Sequence, residues 1–292
     1  MRRHPLACLA SAALAASLFA PVMSFAAASK AVGAEMPKPV PLPADAIKRL
    51  KSGDPAMVKS ALDDVRMSAK AGAAAVPAIV ELIQRGLPPN LTQAAIETLG
   101  DTESEAASAG LARYARHRNT ALRRAAVQAL ARTRGAMAIK TLRVALSDPD
   151  PAVRGFSATG LGTMKAKEAI GDLFVALDHK VAEASTAIGQ LCAGSECERL
   201  AAKLGGGSLG FEVITIGLDQ ALFRGVPDVT DDTKIKIVAR VRELGTGEAN
   251  RFLRDVQGRW PKGGSPRVRQ AIDQAVLATS GSPGAGMSER SQ

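Results

Sequence analysis

The chain of 292 residues has few aromatics. One Trp, one Tyr and seven Phe make up 3% of it, too few for an aromatic-rich β-sandwich or a ring-lined ligand cage. Histidine is scarcer still, at three residues. His117 and His179 stand two 31-residue steps apart, which places them about 20 Å from one another in stacked helices and rules out a shared metal ion. No phosphate-cradling or dinucleotide-binding glycine loop occurs, so no cofactor is expected. Beyond the first 26 residues no apolar run approaches the roughly 20 needed to cross a bilayer. Acid is also in deficit. Lys and Arg total 38 against 28 Asp and Glu, a net charge of +10 that favours anionic partners.

Residues 1–26 read as a secretory signal. Arg2 and Arg3 open it, an apolar run from Leu6 to Ala20 follows, and Ser24-Phe25-Ala26 is a small-x-small cleavage pattern. Leu6-Ala7-Cys8 is not a lipidation site, because the hydrophobic region lies mainly after the cysteine. The expected location is the periplasm or the exterior. Alternating Pro37, Pro39, Pro41 and Pro43 make 27–44 an extended linker, and the Gly/Ser-rich 280–292 reads as a loose tail.

Between these ends a period of 31 residues recurs. Leu99, Leu130 and Leu161 share one register, Leu111, Leu142 and Leu173 a second, Leu91, Leu122 and Val153 a third, and Gly100, Ala131 and Gly162 a fourth. Each unit reads as two helices. In the clearest copy Asp150 caps a helix that begins at Pro151, Val153, Phe156, Ser157, Gly160 and Leu161 form its apolar stripe, and Gly162 is expected to end it in a left-handed cap. A second helix from about Lys167 presents Ile170, Leu173, Phe174 and Leu177, and Asp178-His179-Lys180 turns into the next unit. Such a pair cannot bury its own apolar faces and must stack on copies of itself.

The segment Asp148-Pro-Asp-Pro-Ala-Val-Arg-Gly-Phe-Ser-Ala-Thr-Gly-Leu-Gly162, with Glu168 to Asp178 after it, resembles a short HEAT repeat of the phycobilisome-lyase type. Asn119 to Leu146 is similar, and Pro88 to Ala115 is a weaker copy. The resemblance is clearest over 75–180 and implies an all-α, ARM/HEAT-like solenoid of about six to seven helical hairpins over 45–279. Val181 to Leu204 is a shortened unit, and Pro266-Arg-Val-Arg269 recovers the pattern of Pro151-Ala-Val-Arg154. HEAT-type iron hydroxylases carry His-Glu pairs, which this chain lacks. The resemblance implies architecture rather than chemistry.

Three candidate sites remain. Cys192 and Cys197 are the only cysteines after residue 26, at a helix end and a helix start, and an even count in an exported chain predicts a structural disulfide. Gly206-Gly207-Ser208-Leu209-Gly210 matches a nucleophile elbow in letters, but a helix precedes it where that motif needs a strand. The strongest signal is charge. Residues 106–147 contain no acid and hold Arg113, Arg116, Arg118, Arg123, Arg124, Arg132, Arg134, Lys140 and Arg143. Arg123 shares its repeat position with Arg154, which favours a structural role for both; the others are expected to form one contiguous basic area. Taken together, these features lead us to expect a non-enzymatic scaffold that docks a protein partner in the envelope. One alternative is a binder of anionic polymer or lipid headgroups through 113–143, and a second is a lyase-like prosthetic-group handler. Nucleic acid is disfavoured by export and by the lack of stacking aromatics.

Overall fold

The computed structural model describes residues 40–207 and 209–281. The expected signal 1–26, most of the 27–44 linker and all but the first two residues of the 280–292 tail lie outside them. Fifteen α-helices follow in order: α1 (Ala46–Leu50), α2 (Pro55–Ser68), α3 (Val76–Arg85), α4 (Pro89–Asp101), α5 (Ser108–Tyr114), α6 (Thr120–Thr133), α7 (Ala136–Ala145), α8 (Pro151–Thr163), α9 (Ile170–Asp178), α10 (Glu183–Leu191), α11 (Ser195–Ala202), α12 (Phe211–Leu222), α13 (Asp231–Glu243), α14 (Gly247–Arg259) and α15 (Pro266–Thr279). No strand occurs among the described residues. From α2 onward the helices pair into seven antiparallel hairpins stacked as an α-solenoid, with one core running its length.

The caps follow the sequence. Asp150 accepts from the Val153 N–H (3.0 Å), Asn119 from Ala121, Asp54 from Ala56 and Ser265 from Val268, each supplying an oxygen to an otherwise orphaned donor. The far end of α8 differs from expectation. The helix runs through Gly162, and Lys165 instead takes the left-handed conformation at φ +56°. Gly162 is needed for packing, because a Cβ there would stand 2.9 Å from the Ala187 Cα on α10.

That contact belongs to a series. The even-numbered helices α4, α6, α8, α10 and α12 pack directly on one another. A Cβ at Gly160 would lie 2.7 Å from the Ala131 Cβ on α6, and one at Gly189 would lie 1.9 Å from the Gly217 carbonyl oxygen on α12. Small residues thus bring this layer to near backbone contact. The odd-numbered helices α5, α7 and α9 splay apart, since closing one layer of a stacked hairpin opens the other. The odd layer closes towards the C-terminal end, where α11 packs on α13 and α13 on α15, and past α12 the arrangement inverts, since α12 and α14 touch only lightly. Residues 209–279 therefore continue the solenoid with its tight layer exchanged.

One further device recurs. The fourth residue of several even- and odd-layer helices is a long cation that reaches back to the carbonyls of the preceding turn. Arg123 donates to the His117 and Arg118 carbonyls (3.0 and 3.3 Å), Arg154 to those of Asp148 and Pro149 (2.8 and 3.1 Å), and Arg269 to those of Trp260 and Pro261 (3.3 and 3.1 Å). Lys234 does the same with the Arg224 carbonyl (2.5 Å); burial against Trp260 pushes its pKa down. Arg123 and Arg154 thus hold turns, as their shared register predicts.

Candidate functional site

The splayed helices α5, α7 and α9 leave a depression between them. Between α5 and α7 it forms a recess of about 480 Å³ walled by Arg113 and Arg116 on one side and Met137 and Lys140 on the other, with Ala112 and Thr141 at its floor. The same Arg116 and Thr141 border a second recess that includes His117, Arg118 and Val144. Ser147, Asp148 and Pro149 lead on to a third, reaching Val175 on α9 and His179 just after it.

The acid-free segment therefore does bring cations together, but fewer than its composition suggests. Arg124 donates two bonds to Asp150 (2.9 and 2.6 Å). The guanidinium beside it holds the Asp150 carboxyl down at about 2. Arg132 pairs with Asp101 (3.4 Å) and Arg143 with Asp172 (2.5 Å). Arg134 sits at the α6–α7 turn with φ +60°, at the edge opposite the α5–α6 turn that carries Arg116 and Arg118. One contiguous basic area over 113–143 thus narrows to Arg113, Arg116, Arg118 and Lys140, none of which has a carboxylate within ion-pair distance among the described residues. The acids that neutralise Arg123, Arg124, Arg132 and Arg143 all lie outside 106–147.

Asp148, the acid nearest this cluster, is itself committed. Arg123 grips it through two bonds (2.9 and 3.0 Å), with both side chains about nine-tenths buried. His117 accepts from the Asn119 N–H at Nδ1 (3.0 Å) and stacks on Tyr114, whose hydroxyl donates to the Ile83 carbonyl (2.8 Å). These two rings fix the α5–α6 turn, and with it Arg116 and Arg118. The sequence reading missed the apolar component. Met137, Val144 and Val175 are each about half exposed on this face, and Val144 and Val175 share a repeat position. That shared register was the signal available.

Cys192 and Cys197 lie at the other end of the middle repeats, at the α10–α11 turn. Their Cα atoms are 5.2 Å apart, within disulfide range, and both side chains are fully buried. Arg224 clamps the turn by donating to the Cys192 and Gly189 carbonyls (2.6 and 3.2 Å). The Gly206–Gly210 segment follows helix α11 rather than a strand; its Ser208 lies outside the described residues. No group of three or more His, Cys, Asp or Glu with metal-binding geometry occurs among the described residues. No described helix is long and apolar enough to cross a membrane.

Residues 108–191 match the family model for HEAT repeats. No curated protein matches the sequence. Among solved structures, the chain is similar to the complex of CpcE and CpcF of phycocyanin lyase from Nostoc sp. PCC7120, at 18% identity and a TM-score of 0.43, over 80% of this chain and 93% of that one. It is also similar to a designed armadillo repeat protein, at 17% identity and a TM-score of 0.39, over 80% and 98% of the two chains.

Proposed function

We propose that this HEAT-repeat solenoid is a non-enzymatic scaffold that docks a protein partner through the face formed by α5, α7 and α9. The observation that carries this reading is the continuous depression in which unpaired Arg113, Arg116, Arg118 and Lys140 stand beside half-exposed Met137, Val144 and Val175. Exposed apolar side chains interleaved with unpaired charge are the composition of a protein-binding surface. A purely electrostatic binder would have no use for the exposed valines.

The proposed compartment is the cell envelope. The Arg2-Arg3 start, the apolar run to Ala20 and the Ser24–Ala26 cleavage pattern support export. A Cys192–Cys197 disulfide belongs to the same reading, since an oxidising compartment would close a pair already held in place by the α10–α11 turn.

The test is affinity capture from envelope extract by the full chain at low and high salt, beside a Val144→Glu/Val175→Glu variant. A protein kept by the parent chain at high salt and lost from the variant supports docking through this face. Equal capture by both, or capture of nothing, overturns it.

A further inference from the structure

The depression mixes free charge with apolar surface. Between α5 and α7, Arg113, Arg116 and Lys140 surround the first recess together with Met137, and Arg118 and Val144 (52% exposed) line the second. Val175 (55% exposed) on α9 lines the third. The two carboxylates that border it, Asp148 and Asp172, are bound to Arg123 and Arg143 and leave the free charge between α5 and α7 entirely cationic.

We propose that this groove takes an extended acidic segment of the protein partner. Its carboxylates would pair with Arg113, Arg116 and Lys140, and its apolar side chains would cover Val144 and Val175. The inference rests on the scaffold reading and deepens it by naming the partner's chemistry. Two helix spacings separate α5 from α9, roughly 20 Å, which an extended strand covers in about six residues. A phosphate or sulfate polymer has nothing to place on the two valines. A bilayer surface is broader than the recess and cannot follow its walls to Ala112 and Thr141 at the floor. Because the cations are solvent-exposed, they act mainly on encounter rate and on salt dependence.

The experiment is fluorescence anisotropy of the full chain with a labelled peptide alternating Glu and Leu, at low and high salt. Parallel arms use the same peptide with Gln for Glu, inorganic polyphosphate, and vesicles rich in phosphatidylglycerol. The acidic peptide is expected to bind, to weaken as salt rises, and to outbind the Gln peptide. Arg113→Glu/Arg116→Glu/Lys140→Glu should weaken it by about tenfold or more, a sum of three rim charges reversed. Val144→Ser/Val175→Ser should weaken it by a smaller factor. Arg132→Gln, whose parent cation pairs with Asp101 outside the groove, should leave it unchanged. Far-UV circular dichroism of each variant establishes that it is folded.

Peptide binding that ignores the triple charge reversal in a folded variant overturns the proposal, as does failure of the acidic peptide to bind. Polyphosphate or vesicles that bind as tightly through the same three cations overturn it in favour of an anion site. If the peptide fails while envelope capture still depends on Val144 and Val175, the acidic segment falls and the scaffold stands. If capture is lost from neither chain, the scaffold reading itself falls.

Discussion

Replacing Gly189 by Ala should be among the most damaging single-methyl changes in the chain. The new Cβ would lie 1.9 Å from the Gly217 carbonyl oxygen and 2.7 Å from its carbonyl carbon. Both obstacles are backbone, so no side chain can swing aside. Ordinary contact begins near 3.4 Å, so α10 and α12 must move apart by about 1.5 Å. That gap is shared by the whole seam, where Ser185 and Gly189 of α10 meet Ile214 and Gly217 of α12. A gap of 0.5–1 Å already forfeits about a quarter to a half of each dispersion contact. Against this, Ala gains about 1 kcal/mol of helix propensity over Gly. We expect a net loss of about 3 kcal/mol, near the upper end of overpacking costs, and a fall in Tm of roughly 10 °C for a chain of this size. The control is Gly171→Ala on α9, where a Cβ meets nothing within 4 Å. There the same substitution should stabilise by about 0.5 kcal/mol or more. Thermal and urea unfolding followed by circular dichroism measure both. A Gly189→Ala protein as stable as its parent would refute the backbone seam between α10 and α12.

Other expectations concern single interactions. Closing the short Cys192–Cys197 loop should add about 2 kcal/mol on chain-entropy grounds, so thiol titration of the native protein should find both cysteines blocked, and reductant should lower the urea midpoint. Arg123→Met should cost about 3 kcal/mol, because it strands the nearly buried Asp148 carboxylate and two turn carbonyls, whereas Arg124→Met at its exposed pair should cost far less by the same unfolding assay. The Asp150 carboxyl is held at about 2 in the folded chain against a usual value near 3.8. Its contribution is therefore present above about pH 4 and lost as pH falls towards 2. Acid titration of stability should show this loss in the parent and a smaller one in Arg124→Gln.

The repeat was legible because burial imposes a period that survives in one sequence. Leu99, Leu130 and Leu161 are fully buried at equivalent points of α4, α6 and α8, and Asp150 caps where a capping residue should. Charge was less legible. An acid-free stretch along the chain is not an acid-free surface, because a solenoid sets each helix beside residues about one repeat away. Arg124, Arg132 and Arg143 find Asp150, Asp101 and Asp172 in this way. Gly162 misled for a related reason: glycine serves a left-handed turn and a close helix contact equally well, and only the neighbouring α10 distinguishes them. The exchange of tight layers beyond α12 depends on contacts between helices of unlike sequence, and no periodicity records it.

That exchange bears on how such a chain can lengthen. Between α4 and α10 every junction between units is built alike, with small residues on one layer and open spacing on the other. A duplicated 31-residue segment inserted there meets neighbours already shaped to receive it, and it would extend the cationic and apolar groove by one more rung. The junction between α12–α13 and α14–α15 is built the other way round, tight in the odd layer and loose in the even one. A copy that carries the tight even layer finds no matching neighbour there, so growth by duplication is confined to the units that precede it.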